Sequence, residues 1–594
     1  MREQMPLQSV KRLGMLLLAI LATVTTALNL SGCSAGQKGL LTITPEQYLS
    51  SAKETLETID ERNYEVRDLD EIIRILENAE KDAKKSEVID RSRMYLCLTH
   101  TLKARKMYQT SLMKGQYIAN RAEPFFIVDT KEIKETLRIA NKWLRSCNAN
   151  FKTKELQPDL NFVRGLYHTQ KMLTQQSREK KESLDAALLA FRRCLGSAPD
   201  YKSDFRLFTR HQTPREVRLR MIEALALGGQ LADAYGLLSE FSFAAISPAA
   251  GASDAQDFAW HHTKGFVLAM MGKYEEAAAI LERFKIVVPQ DYQLVDEALW
   301  ILEGVYDRLA TERRVDRFKM EARIVAALLN KLKGPYSKEK YSTASHLFPR
   351  QLPGDINFFT GVMKFYDGHF EQALEIFSQL SNRGIMSSSN RIAVKLYEIE
   401  SMLYSGQKSS DSLLEELLKL SRNSSLYPLQ KERNGYLLAR YVMDEDKNFA
   451  SSKIDHAGQS FIKSISSKPW AIELSFKRGE VKRAKKPVRS RNLSEQDADE
   501  SSKREPGSIL AEIYANRPED WVVSANLYLV ALPEFALLGK GRIVGREDSE
   551  NGTWVFKDEE IDRLRRKNQY LAIFEYDNSD SEKSLQGVIF QPRR

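Results

Sequence analysis

Histidine, cysteine and carboxylate are the side chains best suited to chemistry in this chain, and their spacing assembles little of it. The 594 residues include eight histidines and four cysteines. His261 and His262 are adjacent, so on a helix their side chains point about 100° apart and cannot chelate one ion together. His369 follows Asp367-Gly368, a turn sequence in which a solvated ring is expected. Cys147, Cys194 and His168 lack the paired spacing of a structural zinc site. The chain has no Gly-rich phosphate loop, dinucleotide fingerprint or His-Glu-x-x-His, and no Gly-x-Ser-x-Gly elbow. Carboxylate-based hydrolysis leaves no firm linear signature, and nothing in the sequence brings two acids together. No catalytic residue, metal ligand or cofactor is therefore expected.

The fourth cysteine is different. Lys11 and Arg12 precede an uncharged run from Leu13 to Leu28, which leads to Leu30-Ser31-Gly32-Cys33. Positive charge, an apolar run and small residues in that order make a secretory signal, too short and wrongly flanked for an ordinary spanning helix. The Leu-Ser-Gly-Cys ending resembles the bacterial lipobox. That resemblance implies cleavage after residue 32 and acylation of Cys33, palmitate included. Two or three acyl chains at about 0.8 kcal/mol per buried methylene make a stable anchor. In Gram-negative families a residue other than Asp after the cysteine, here Ser34, accompanies transport to the outer membrane. The resemblance thus implies a cell-envelope protein, lipid-anchored and facing the periplasm; a Gram-positive plasma-membrane anchor stays open.

Composition restricts the partners. Residues 33–594 are enough for a large core and too many for one compact domain. The 89 basic and 80 acidic residues give +9. Loss of the signal lowers this to about +7, with the two signs mostly intermixed. Such mixing describes solvated helix faces and does not point to nucleic acid. Cys97, Cys147 and Cys194 are an odd set spaced about fifty residues apart, unlike a disulfide framework.

Repeats dominate the middle of the chain. Gly265, Leu268, Gly272, Tyr274, Ala277, Leu281 and Pro289 fall in one helical-hairpin unit. Gly265 permits close helix approach, Gly272 turns the chain, Ala277 is small where helix B crosses helix A, and Pro289 is expected to stop helix B. About 96 residues later Gly361, Gly368, Phe370, Ala373 and Phe377 repeat the pattern. Leu225, Gly229, Leu231, Ala234 and Leu238 make a third unit; Gly165, Leu184, Ala187, Phe191 and Pro199 make a fourth with a longer turn. Together these units resemble the tetratricopeptide repeat over about residues 155–385.

Helical periodicity extends beyond them. Glu46–Ile59, Asp68–Ala83, Asp90–Met113 and Lys131–Ser146 read as helices before the repeats. Asp296–Leu309, Arg317–Leu332, Arg391–Tyr404, Ser412–Leu420 and Leu429–Met443 do so within and after them. The expected fold is an all-α solenoid of stacked helix hairpins, each burying its apolar face against its neighbours. Its divisions are a signal at 1–32, an N-terminal helical region at 33–150, repeats at 151–390 and further hairpins at 391–477. Residues 478–507 are rich in Ser, Pro and charge and read as a linker or long loop. In 508–594, runs such as 521–529, 541–544, 553–556, 570–576 and 586–590 suggest a small β-containing module, with Asn551-Gly552 as a turn.

Tetratricopeptide lipoproteins serve as adaptors in envelope assembly, so the resemblance implies a non-enzymatic scaffold whose partners are envelope proteins or peptides. The alternative is an envelope enzyme acting on polysaccharide or peptidoglycan, with the repeats presenting substrate. In the family, helix A lines the concave face. The partner-binding candidates are therefore His261, Lys264, Leu268, Asn357, Lys364 and Tyr366.

Overall fold

The computed structural model describes most of residues 43–445, residue 461, and the strands and short connections between 472 and 591. Cys33 and the charged stretch 478–507 lie outside the described residues, as do several short loops. Among the described residues seventeen α-helices follow one another: α1 (Pro45–Thr58), α2 (Val66–Asp82), α3 (Ser86–Lys114), α4 (Lys131–Asn150), α5 (Gln157–Leu173), α6 (Ser177–Ser197), α7 (Pro214–Leu227), α8 (Leu231–Ala244), α9 (Asp254–Met270), α10 (Tyr274–Leu281), α11 (Val295–Arg313), α12 (Asp316–Leu332), α13 (Pro353–Tyr366), α14 (Phe370–Arg383), α15 (Ser388–Tyr404), α16 (Asp411–Ser421) and α17 (Pro428–Glu445). Short hairpins interrupt them at Gln116–Ile118 with Phe125–Ile127 (β1, β2) and at Arg206–Leu207 with Arg210–His211 (β3, β4).

Local sequence explains the starts and stops. Thr44 caps α1: its hydroxyl accepts from Gln47 N at 3.3 Å while Gln47 Oε1 accepts from Thr44 N at 2.8 Å, with Pro45 in the first turn. The apolar stripe Leu69, Ile72, Ile73, Leu76 and Ala79 of α2 is buried. Three helix A ends share one geometry. Gly229, Gly272 and Gly368 have φ of 86°, 74° and 82°. The residue after each donates back into the last turn: Gln230 to Leu225 O at 2.8 Å, Lys273 to Leu268 O at 2.9 Å and His369 to Lys364 O at 2.9 Å. These are glycine C-caps in one repeating register.

Helix crossings follow the same register. A Cβ on Gly265 would meet Leu281 at 2.5 Å, one on Gly361 would meet Phe377 at 2.5 Å, and one on Gly165 would meet Phe191 at 2.4 Å. Ala277 and Ala373 are fully buried, Tyr274 is buried and Phe370 half-buried. Pro289 has a different place from the one expected. Helix α10 ends at Leu281 and tightens into a 3₁₀ turn over Glu282–Lys285, so Pro289 lies past a stop already made.

The stack is not an open rod. Helix α13 returns to α8, where the Tyr366 ring fills the space beside Gly236. Lys273 Nζ donates to Thr360 Oγ1 at 2.6 Å. Helix α17 reaches back to α6, where Arg192 Nη1 meets both Glu432 carboxylate oxygens at 2.8 Å.

Behind this joint sits a buried cluster. Arg433 is 2 % exposed and lies 3.3 Å from Asp233 and 3.4 Å from Glu400. Its guanidinium stacks 3.9 Å from the Tyr397 ring centroid and donates to Tyr366 Oη at 3.1 Å. Burial raises both carboxyls and Arg433 opposes it, with the net direction upward. One arginine thus ties together α8, α13, α15 and α17.

The C-terminal module is an antiparallel sheet of β5 (Ile472–Lys477), β6 (Ser508–Ile513), β7 (Asn526–Ala531), β8 (Ala536–Ile543), β9 (Asn551–Val555), β10 (Tyr570–Asp577) and β11 (Lys583–Phe590), in the order β11-β10-β7-β8-β9-β6-β5. Ile472–Lys477 pairs with Ser508–Ile513, so the stretch 478–507, read from the sequence as a linker or long loop, connects two paired strands of one sheet. Asn551-Gly552, expected as a turn, lies inside β9. The sheet docks on α17 by backbone contact: a Cβ on Gly587 would meet Gly435 O at 1.9 Å. Gln569 Nε2 donates to Ser421 O at 3.1 Å beside that contact. Cys97, Cys147 and Cys194 are buried and form no disulfide, packing as small residues in the core.

Candidate functional site

The first hairpin helices of successive units turn one face inward, and between them lies a cavity of about 230 Å³. Its walls come from α3 (Arg105, Tyr108), α5 (Gln170, Leu173), the β3–β4 hairpin (Leu207, Gln212) and α7 (Leu219, Arg220, Glu223, Leu227). Ala259, His262, Thr263 and Phe266 of α9, the run Tyr292–Leu294, Trp300 and Ile301 of α11, Tyr336 and Phe348 close it. The α9 set recurs at i, i+3, i+4 and i+7, one face of a helix. Trp300 stacks on Tyr336 with ring centroids 4.9 Å apart, giving a flat aromatic wall.

Polar groups are gathered on one side. Glu223 lies 2.8 Å from Arg220 and 3.6 Å from Arg105. Burial pushes its carboxyl up, but the two guanidiniums overcome this and hold it down to about 2. Glu223 is therefore a fixed anion between two cations. His262 Nδ1 lies 3.1 Å from Tyr292 Oη. Burial lowers its imidazole to about 4, so the ring is neutral at pH 7. Its Nε2 is shielded from water and has no hydrogen-bond partner. A buried polar atom without a partner carries a desolvation cost that a ligand group can relieve. The neighbouring Thr263 hydroxyl already donates to Ala259 O at 2.9 Å. This arrangement can seat an apolar side chain and offer a hydrogen bond to a polar atom beside it.

None of the six residues chosen from the sequence lines this cavity. Leu268, expected on an exposed face, is 1 % exposed and belongs to the core. His261 is buried against Trp260, ring centroids 4.8 Å apart. Tyr366 is held in the Arg433 cluster, its hydroxyl 3.0 Å from Tyr397 Oη. Lys264 is half-buried with Nζ 4.7 Å from the Trp260 ring centroid. Asn357 is exposed and Lys364 half-buried. The site residues that sequence reasoning passed over are His262, Glu223, Arg105, Arg220 and Trp300. For His262 the signal was present: the face running through 259, 262, 263 and 266 is offset from Gly265 and Leu268, which pack on helix B.

The chain matches no family model and no curated protein. Among the described residues no group of three or more His, Cys, Asp or Glu could hold a metal ion. No described helix is long and apolar enough to cross a membrane.

Proposed function

We propose that this protein is a lipid-anchored envelope adaptor that holds a partner polypeptide by one apolar side chain seated in the inner cavity. The observation that carries the reading is that cavity: an aromatic and aliphatic chamber whose lining includes two buried polar atoms without a partner, His262 Nε2 and Gln212 Oε1. Its size favours a side chain over a cofactor. A dry cavity of about 150 Å³ accepts benzene, whereas sites for drug-sized ligands run to roughly 300–1,000 Å³. An indole or branched aliphatic group fits between those limits. His262 would bond a carbonyl or carboxylate of the incoming chain. The signal and Leu-Ser-Gly-Cys33 supply the anchor in this reading, and the outer membrane facing the periplasm is its expected place.

The test blocks the cavity. Ala259→Trp fills it from α9, and partners are compared by crosslinking in the intact envelope. Loss of a stoichiometric polypeptide partner from Ala259→Trp, with circular dichroism unchanged, supports the reading. An unchanged partner set with the cavity blocked overturns it, as does wild-type hydrolysis of envelope polysaccharide that Ala259→Trp abolishes. In the same strains Cys33→Ala should release the protein from high-salt-washed membranes.

A further inference from the structure

Helix α12 has apolar side chains on two opposite sides. Val325 and Leu329 point inward and are buried, and Phe318 stacks on Tyr306 at 6.3 Å. Met320 and Ile324, four residues apart on the other side, are 58 % and 44 % exposed. Val315 is exposed at the start of the helix. The segment after α10 adds Ile286, 87 % exposed, and Val288. Lys285 Nζ lies 2.8 Å from Glu321, which places that segment alongside α12. Five of the nine large apolar side chains exposed among the described residues belong to this one edge. A soluble helix normally buries one apolar stripe and solvates the other side, so the second stripe calls for a partner.

Charge identifies the partner. Asp316 is paired with Lys319 at 3.2 Å, and Lys285 holds both Glu321 at 2.8 Å and Glu282 at 3.3 Å, so each of these local acids faces a cation within the patch. Arg314, Arg323, Lys331 and Lys333 are exposed and form no ion pair among the described residues. An apolar stripe flanked by unneutralised cations is the make-up of a helix lying in the plane of a bilayer, its apolar side chains at the headgroup–acyl boundary. A second copy of this chain suits it poorly, because a two-fold contact would set these cations against themselves.

We propose that α12 and the 286–288 segment form a docking surface for anionic lipid. The surface is separate from the inner cavity, and the proposal is independent of the acyl anchor. Each basic side chain near an anionic bilayer contributes about 5.4-fold to partitioning, so two of them contribute about thirtyfold.

The test uses the full chain carrying Cys33→Ser, which removes the acylation site from every sample. Co-sedimentation is measured with vesicles of phosphatidylglycerol and phosphatidylcholine in equal parts, and with phosphatidylcholine alone. The expected result is preferential binding to the anionic vesicles. That binding should fall about thirtyfold in Arg323→Gln/Lys331→Gln and also fall in Met320→Ser/Ile324→Ser, with circular dichroism unchanged. Both variants are surface changes, and any binding by the N-terminal apolar run is common to all samples. Equal binding by wild type and both double variants would overturn the proposal. So would a concentration-dependent dimer in sedimentation equilibrium that Met320→Ser/Ile324→Ser dissolves, which would assign the edge to a second copy.

Discussion

Replacing Gly587 with alanine tests how the sheet is joined to the solenoid. Its Cβ would sit 1.9 Å from Gly435 O and 2.5 Å from Gly435 C, and real Cβ contacts essentially never fall under 3.0 Å. Helix α17 and strand β11 must therefore part by about 1 Å. The obstacle is backbone on both sides, so no side-chain rotation can relieve it. A gap of that size forfeits roughly a quarter to a half of each facing dispersion contact. Overpacking of this kind costs about 1–3 kcal/mol. Gly435→Ala creates the same obstacle from the other side, with Gly587 O at 2.2 Å. Because either change opens the same gap, the double variant should cost little more than one of them, a strong departure from additivity. A repeat chain of this length is not two-state, so one unfolding free energy is not the right readout. Hydrogen exchange resolved by segment is. Exchange should rise by a factor of about 5–150 in 428–445 and 583–590 and stay unchanged in 254–281. Gly368→Ala is the control. Its φ of 82° strains an alanine locally, but no atom lies within 4 Å of its Cβ, so the module should be untouched. Native exchange in the sheet of Gly587→Ala, or full additivity with Gly435→Ala, would refute the backbone contact.

Two further outcomes follow from the buried charges. Arg433→Met leaves Asp233 and Glu400 buried without their cation, which should cost about 3–5 kcal/mol. Adding Asp233→Asn and Glu400→Gln should recover most of it, seen as restored protection in α8, α15 and α17; a triple variant no better than Arg433→Met would contradict the account. For His262 the folded imidazole titrates at about 4 against 6.5 for the unfolded chain. Between those values the unfolded state binds the extra proton. The stabilisation is therefore complete above pH 6.5 and is lost as pH falls toward 4, reaching roughly 2 kcal/mol by pH 5. His262→Gln should flatten the loss of exchange protection in 254–281 between pH 7 and 5, and a variant with the wild-type slope would sink the assignment.

The sequence by itself determined what is settled within one hairpin. Gly229, Gly272 and Gly368 fix turns through their own backbone freedom, and Gly265 and Ala277 fix a helix crossing whose partners lie within about twenty residues. Such short-range constraints repeat, so they are legible as spacing. Tertiary structure decided everything that depends on how the hairpins accumulate. One residue of helix is about 100° of rotation; the stripe 259, 262, 263 and 266 is legible as spacing, but only the assembled superhelix makes that stripe, with His262 and not His261, the wall of a cavity. Small crossing angles add up along the stack, and their sum brings Arg192 to Glu432 and Arg433 to Asp233, across some two hundred residues and more. The same holds for the sheet: Ile472–Lys477 is a six-residue run that becomes a strand because Ser508–Ile513 completes its hydrogen bonds. No local pattern encodes a partner thirty residues away, and the cavity, assembled from at least six separate elements, exists only once all of them have packed.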